Sequence, residues 1–198
     1  ESTSGRAAVA ALEFPFDHED FQRQYVQNDG ASCQVSLMID SRLLEVEELA
    51  AEIAFHPKIR HMFSREAEQN ESFIFQHYEI MNTLTNIFSG NGFIADRYVY
   101  FNKQDAVVTS YAKVASRDFY NMYYKYDGFG EEEWLSFLNE SSDQGQFLPA
   151  MNVTGRLPAR EVITYRRSIP FGTPGPSDGA VVILIDANQI RAMLSSLE

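Results

Sequence analysis

The run Gly179-Ala-Val-Val-Ile-Leu-Ile-Asp186 constrains the fold more than any other part of this 198-residue chain. Its interior is apolar at every position, so a strand formed there must be covered on both faces. Such a strand belongs at the centre of a sheet, with helices against one face. It leads straight into a helix predicted over 187–197, for which Asp186 supplies the cap. The sequence therefore predicts an α+β protein built around a last, central strand.

A long helical stretch precedes the strands. From Asp17, interrupted at most near Asn28-Asp-Gly30, apolar residues recur three and four positions apart, as on one side of a helix. They include Val35, Ile39, Leu43, Val46, Leu49, Ala50, Ile53 and Ala54. Pro57 ends the helix, because a residue before proline is held away from helical geometry. The stretch spans about 40 residues, against about 8–20 for a usual globular helix. We therefore expect part of it to pack against another helix or against a second copy, in a homodimer whose halves pack along Ile39 to Ala54.

Helices and strands follow one another in the rest of the chain. Short helices are predicted near 58–63 and over 71–88, and the breaker Ser89-Gly-Asn-Gly92 ends the second. Five strands are predicted over 94–102, 106–111, 147–153, 161–171 and 180–185, and two helices, over 116–124 and 131–139, lie between the second strand and the third. Ser116 is the predicted N-cap of the first of these helices, and the loop 172–179 joins the last two strands. We expect one domain overall, with a lead-in and the long helix in 1–57 and the sheet in 58–198.

Composition excludes several kinds of partner. The formal net charge is -12 and the pI is about 4.7, so this segment is not expected to bind nucleic acid or an anionic membrane surface, which require Lys and Arg. The single cysteine, Cys33, excludes an internal disulfide framework. The chain starts at Glu1 and has no apolar run of the roughly 18 residues that span a bilayer, so we expect it to be a piece of a larger protein.

Catalytic and metal motifs are missing from the sequence. The four histidines, His18, His56, His61 and His77, do not form a tight metal-ligand spacing. No Gly-x-Ser-x-Gly motif supports a nucleophile. We therefore expect no metal, no cofactor and no enzymatic activity. A hydrolase is the remaining enzymatic alternative, and it would require a polar cleft with a base and a nucleophile in contact.

Six segments carry a family resemblance through their order along the chain. They are Ser41-Arg-Leu-Leu-Glu-Val-Glu-Glu-Leu-Ala, Phe55-His-Pro-Lys-Ile, Tyr98-Val-Tyr-Phe, Phe119-Tyr, Glu133-Trp-Leu and Ala180-Val-Val-Ile-Leu-Ile-Asp-Ala-Asn-Gln-Ile. Over nearly its whole length the chain resembles Cache domains, the extracytoplasmic PAS-like sensors of bacteria. It looks most like the sensor regions of Firmicutes membrane regulators that carry a cytoplasmic AraC-type DNA-binding domain. The resemblance implies a long N-terminal helix packed on a five-stranded antiparallel PAS-like sheet, with helices inserted after the second strand.

The function implied by this resemblance is small-molecule sensing. The family places a ligand pocket on the sheet face beneath the inserted helices and passes the signal through the terminal helices. The chain would then be a membrane-distal module on the extracytoplasmic face of the cell membrane, tethered to it in the full-length protein. Trp134 is preceded by Glu131-Glu-Glu133, so the Arg-x-Trp element of the amino-acid-binding members is missing.

Two alternatives remain open at this point. The ectodomain of a histidine kinase or a chemoreceptor has the same kind of function. A dimerisation or interaction scaffold, in which the chain's own Tyr and Phe side chains fill the pocket, belongs to another class.

The candidate ligand-binding residues are aromatic rings and one guanidinium. Tyr98 and Tyr100 alternate onto one face of their strand, while Tyr165 and Arg167 share a face of another. Phenols would stack on a ligand and a guanidinium would bind a carboxylate. The candidates on the inserted helices are Tyr120, Tyr124 and Trp134. The alternative for all of these rings is ordinary core packing.

Charged neighbours of these candidates support further expectations. Arg166 and Arg167 lie on opposite faces of one strand, so at most one should point inward and the other should be solvated. Asp118 and Asp127 belong to the inserted segment, where each would meet either a ligand amine or, more commonly, solvent.

Overall fold

The longer helices and strands follow one another along the chain in the predicted order. The computed structural model describes residues 29–63, 73–87, 92–142, 144–155, 158–169 and 177–195. The described helices are α1 (Asp29–Phe55), α2 (Pro57–Met62), α3 (Phe73–Asn86), α4 (Ser116–Met122), α5 (Glu131–Asn139) and α6 (Ala187–Ser195). The described strands are β1 (Ile94–Phe101), β2 (Ala106–Thr109), β3 (Lys113–Ala115), β4 (Lys125–Tyr126), β5 (Gln146–Thr154), β6 (Arg160–Ile169) and β7 (Gly179–Asp186).

The described strands form one antiparallel sheet in the order β3-β2-β1-β7-β6-β5-β4. β7 lies at its centre between β1 and β6, and its residues from Gly179 to Ile185 are buried. The predicted α+β class, the antiparallel sheet and the central last strand are confirmed. The predicted number of five strands is wrong, because the described part of the chain forms seven. The two additional strands, β3 and β4, have three and two residues, which is too short for a periodic pattern to show in the sequence.

The helix boundaries differ from the predictions in small ways. α4 begins at Ser116 with Ala115 in the N-cap position, so the prediction of Ser116 as the N-cap is wrong. The Ser116 hydroxyl instead donates a hydrogen bond to the carboxylate of Asp105, a turn residue with φ of 45°. Asp186 does cap α6, since its Oδ1 atom accepts the backbone N–H of Asn188 at 2.9 Å.

Some predictions lie outside the described residues. These are the lead-in and the helical stretch before residue 29, both ends of the helix predicted over 71–88, the breaker over 89–91, the end of the strand over 170–171, most of the loop over 172–176 and the end of the last helix over 196–197. Among the described helices, none combines the length and the apolar character needed to cross a membrane.

One face of the sheet packs against α1, α2, α3 and α6, and we call it the helix face. Its strand residues include Val99, Phe101, Ile163, Val181, Ile183 and Ile185. α1 meets them with the apolar stripe that the helical spacing predicts, which runs from Val35 to Ala54. The prediction that two copies pack along Ile39 to Ala54 is wrong, because this stripe is buried against the chain's own sheet. The exposed side of α1 carries Leu37, Met38, Leu44 and Phe55.

The opposite face packs against α4 and α5, and we call it the tyrosine face. Its strand residues include Tyr98, Tyr100, Val162, Ala180, Val182 and Leu184. Since β7 contributes buried residues to both faces, helices cover the central strand on both sides rather than on one. The tyrosine face lies under the inserted helices, where a ligand pocket is expected.

Candidate ligand-binding site

Aromatic rings from the sheet and from the inserted helices form one layer on the tyrosine face. Phe119 of α4 is its centre, with its ring centroid 4.8 Å from that of Tyr98, 5.6 Å from Tyr124 and 6.1 Å from Trp134. Tyr120 adds a ring 5.6 Å from Trp134, and its hydroxyl donates to the carbonyl of Phe129 at 2.6 Å. Aromatic pairs at these separations contribute favourable contacts beyond their burial. The layer is therefore well packed, and its hydroxyl groups can hold fixed positions.

The first polar group of this layer is the carboxylate of Asp96. Its Oδ2 atom accepts the hydroxyls of Tyr124 at 2.5 Å and Tyr111 at 2.7 Å, and its Oδ1 atom accepts the backbone N–H of Arg97 at 2.8 Å. Burial, and then the negative charge of Asp96, raise the pKa of both Tyr124 and Tyr111. Both phenols consequently stay protonated and donate to a buried carboxylate at neutral pH.

A second polar chain crosses the middle of the tyrosine face. The indole N–H of Trp134 donates to the hydroxyl of Tyr98 at 3.3 Å, and the hydroxyls of Tyr126 and Thr164 lie 3.0 Å apart. Burial raises the pKa of Tyr98 well above its ordinary value and raises the pKa of Tyr126 to about 12. Neutral hydroxyl groups therefore sit in the interior between β1, β6 and α5.

The third polar group is the guanidinium of Arg166, which is 0% exposed. Nη1 donates to the backbone carbonyl of Glu140, just after α5, and Nη2 donates to the side-chain oxygen of Gln146. The ring of Phe137 lies 4.9 Å from the guanidinium carbon. Burial lowers the pKa of Arg166, yet an arginine keeps its proton in proteins. A positive charge is therefore enclosed at one end of the tyrosine face.

Five of the seven predicted site residues come together on this face. They are Tyr98, Tyr100, Tyr120, Tyr124 and Trp134. Tyr165 and Arg167 lie on the opposite side of the sheet. The Tyr165 ring packs 4.8 Å from that of Phe147, and the Arg167 guanidinium lies 6.0 Å from the ring of Phe55.

Strand register explains this separation. Tyr98 is opposite Val182 and Tyr165 is opposite Ile183, and adjacent residues of a strand point to opposite faces. Both faces of β6 are covered, so Arg166 is fully buried and Arg167 is half-buried instead of solvated. Asp118 and Asp127 are exposed.

Sequence reasoning did not single out Asp96, Tyr111, Tyr126 and Thr164, and it left Arg166 undecided. Asp96 shares the alternation of Tyr98 and Tyr100, so the period-two pattern of β1 was an available signal. Thr164 and Arg166 share such a pattern on β6. Tyr111 and Tyr126 carry no comparable signal, because they lie in or beside very short strands.

The tyrosine face is closed in this structure. Tyr98, Phe119, Val182 and Leu184 have no exposed area, and Trp134 is 1% exposed. These four side chains therefore have no water-sized space beside them. An open groove of about 490 Å³ lies outside, at the start of α5, and is lined by Arg117, Gly130, Glu131, Glu132 and Glu133. Its floor is held by an ion pair of 2.8 Å between Arg117 and Glu131.

Among the described residues, no group of three or more His, Cys, Asp and Glu side chains is placed to hold a metal ion.

Comparisons with known proteins give no match, whether against family models, curated proteins or solved structures. The arrangement itself therefore carries the functional argument: aromatic walls, a buried carboxylate and a buried guanidinium under two short helices.

Proposed function

We propose that this chain is the small-molecule-sensing domain of a bacterial transmembrane transcription regulator, with its ligand held between the tyrosine face and helices α4 and α5. The buried polar layer with Asp96, Thr164 and Arg166 is the observation that carries this proposal. A core that only stabilises a fold has no need of such groups, because a buried polar atom is unfavourable unless it is paired. Ligand sites, in contrast, combine apolar and aromatic walls with a few polar anchors.

Strand β7 provides the route from the ligand to the signal. Val182 and Leu184 lie on the tyrosine face, while Ile183 lies on the helix face in contact with the α1 side of the core. β7 runs directly into α6, and α6 contacts α1. A ligand that favours one arrangement of these terminal helices by a few kcal/mol shifts the population of states without any chemistry on the ligand.

Ligand entry requires α4 and α5 to move, because their rings fill the face. These helices have only seven and nine residues. The segment between them contains Gly128, whose φ of 72° suits glycine, and Gly130, the N-cap of α5. Ligand binding must therefore offset the contacts of the aromatic layer that opening breaks, and Gly128 lets the segment between the helices change its backbone conformation.

We further propose that the domain is of the Cache type and lies on the extracytoplasmic face of the cell membrane. The support is the order of the elements: a long helix, an antiparallel sheet whose five longer strands are contiguous, inserted helices, and a last strand that runs into a helix. The ectodomain of a histidine kinase or a chemoreceptor is the alternative in the same class. The effector domain of the parent protein separates these alternatives.

A dimerisation or interaction scaffold is the second candidate function. One observation favours it: the chain's own rings fill the space beneath α4 and α5 and leave Tyr98 and Phe119 with no exposed area. A scaffold would keep this face closed permanently, whereas a sensor would open it for a ligand.

A thermal-shift screen with a matched pair of variants tests the sensor against the scaffold. The panel contains amino acids, organic acids, sugars and oligosaccharide fragments. A ligand at a hundred times its dissociation constant should add about 2.7 kcal/mol of stability. Tyr98→Phe removes a hydroxyl from the tyrosine face and should weaken this stabilisation, while Tyr165→Phe removes one from the helix face and should leave it unchanged. A panel without any stabilising compound favours the scaffold.

We also propose a homodimer through the exposed side of α1, where Leu37, Met38, Leu44 and Phe55 lie. Leu44→Glu should shift sedimentation toward the monomer, because it places a charge within that apolar contact. Met122→Glu, at a similarly exposed position of α4, is the control. A wild-type chain that sediments as a monomer at every concentration would contradict the dimer.

A further inference from the structure

We propose that Arg166 anchors an anion-binding subsite, so that the ligand of the tyrosine face carries a carboxylate or a phosphate group. The inference rests on the proposed sensing function and names the chemical class of its ligand. Complete burial, an unused hydrogen-bond donor and neutral partners all point to an anion as the missing partner of this guanidinium.

Arg166 has more donors than the surrounding protein uses. A guanidinium presents five N–H groups in a planar fork that matches two oxygens of a carboxylate or a phosphate. Nη1 and Nη2 each have one acceptor, the Glu140 carbonyl and the Gln146 amide. The buried Nε atom has no hydrogen-bond partner. A buried donor without an acceptor is unfavourable, and an anion beside Nε removes that penalty.

Arg166 also has no ion-pair partner among the described residues. Both hydrogen-bond acceptors are neutral oxygens. The charge of the exposed residue Glu140 raises the pKa of Arg166, but burial has the larger effect and lowers it. A buried charge without a close counter-charge is unfavourable. An anionic ligand supplies that close counter-charge.

Arg97 shows how this chain holds a buried arginine without such a deficit. Arg97 donates through both Nε and Nη2 to the carbonyl of Leu84, at 2.9 and 2.6 Å, near the end of α3. A neighbouring carboxylate acts favourably on each guanidinium, Asp96 on Arg97 and Glu140 on Arg166. Arg166 likewise bonds a carbonyl at the end of a helix, but its Nε has no hydrogen-bond partner. The two arginines therefore differ at Nε, where an anion would bind.

The position of Arg166 suits a ligand that also contacts the rings. Tyr98 pairs with Val182, and Val182 pairs with Arg166, so all three lie in one row across the tyrosine face. Neighbouring strands are about 4.8 Å apart, which places the backbones of Tyr98 and Arg166 roughly 10 Å apart. A ligand of a few bond lengths can therefore place an apolar part against Tyr98 while its anionic group lies beside the Nε atom of Arg166.

The test compares acids with their neutral amides on the whole chain. Benzoate, succinate and phosphate are titrated at constant ionic strength in thermal unfolding and calorimetry, with benzamide and succinamide as neutral probes. At least one anion should stabilise the wild type, and its amide should not. Arg166→Gln should weaken the binding of that anion about tenfold or more, which is the effect of losing a charge-assisted hydrogen bond. Arg167→Gln, the adjacent arginine on the helix face, should bind it like the wild type.

A second variant keeps the test decisive if Arg166→Gln does not fold. Gln146→Glu places a carboxylate against the guanidinium, so it should raise the melting temperature by roughly 2–4 °C and abolish the response to the anion. Four results would each overturn the subsite. The acid and its amide could bind equally well, or Arg166→Gln could bind the anion as tightly as the wild type. Gln146→Glu could keep the full anion response, or no anion could stabilise the chain. A neutral ligand that is sensitive to Tyr98→Phe would leave the sensing function standing, whereas the lack of any stabilising compound would remove both proposals.

Discussion

The helix face and the tyrosine face are two sides of one sheet, both covered by helices, but their chemistry differs. At the centre of the helix face, β1, β6 and β7 present Val99, Ile163 and Ile183, whose side chains have no polar atom. On the tyrosine face, β1 and β6 present Tyr98 and Thr164, which hydrogen-bond to side chains of the inserted segment. The first face provides apolar burial, while the second provides positioned polar groups.

The difference arises on the strands beside β7 rather than on β7 itself, which is apolar on both sides. On β1, Asp96 and Tyr98 alternate onto the tyrosine face, and on β6 Thr164, Arg166 and Ser168 do the same. The helix face also buries Arg97 and His77, but Thr164, Arg166 and Ser168 lie together on the tyrosine face. A paired buried polar group contributes less to stability than a large buried apolar side chain. The tyrosine face therefore suits recognition, and stability is expected to depend mainly on the helix face.

The largest effect is expected from the helix face. Ile183→Ala deletes a fully buried side chain in the central strand, so the free energy of unfolding should fall by about 2–5 kcal/mol. Urea denaturation measures this loss. Met122→Ala, at an exposed position, should change it by less than about 0.5 kcal/mol. A loss below about 1 kcal/mol for Ile183→Ala would contradict the assignment of stability to this face.

Alkaline pH should weaken the tyrosine face next. Burial raises the pKa of Tyr126 to about 12 in the folded state, from an ordinary value of 10.0. Below pH 10 its phenol is protonated in both states and its contribution to stability is complete. As the pH rises from about 10 through 12, the unfolded state loses the proton first, so the stability falls by roughly 2–3 kcal/mol once the pH exceeds the folded pKa.

Denaturation at several pH values with Tyr126→Phe as the partner variant measures this contribution. The variant should show a shallower decline than the wild type between pH 10 and 12, because one buried phenol no longer titrates. Identical declines would show that Tyr126 is not protected by burial.

A smaller effect is expected at the buried carboxylate. Tyr124→Phe removes the 2.5 Å hydrogen bond to Asp96, and a hydrogen bond to a charged group contributes about 1.5–3 kcal/mol. Tyr111→Phe removes the other phenol, whose residue is 43% exposed, so solvent replaces it more easily and the loss should be smaller. Denaturation of both variants gives the comparison, and a greater loss for Tyr111→Phe would reverse the account of this network.

Much of the fold could be predicted because its long elements have strong periods. The apolar stripe of α1 and the two-sided apolar run of β7 determine their packing regardless of distant residues. β3 and β4 form only because neighbouring strands accept their backbone hydrogen bonds, and so few residues carry no period of their own. The five-strand prediction failed for this reason.

The site was predicted in part, because alternation is visible within a strand but not between strands. Tyr98 and Tyr100 could be grouped, since they are two residues apart. Whether Tyr165 or Arg166 shares their face depends on the register across β7, which no local pattern reveals. Asp96 was missed because aspartate is depleted in strands and does not suggest one.

Trp134 allows the most direct measurement of the central claim, that the tyrosine face opens to hold a ligand. It is the only tryptophan of the chain and is buried in the aromatic layer, so its emission reports on this face alone. Any compound that stabilises the chain should change Trp134 emission with the same half-saturation. A compound that stabilises the chain fully and leaves that emission unchanged would bind elsewhere, which would rule out a ligand site on the tyrosine face.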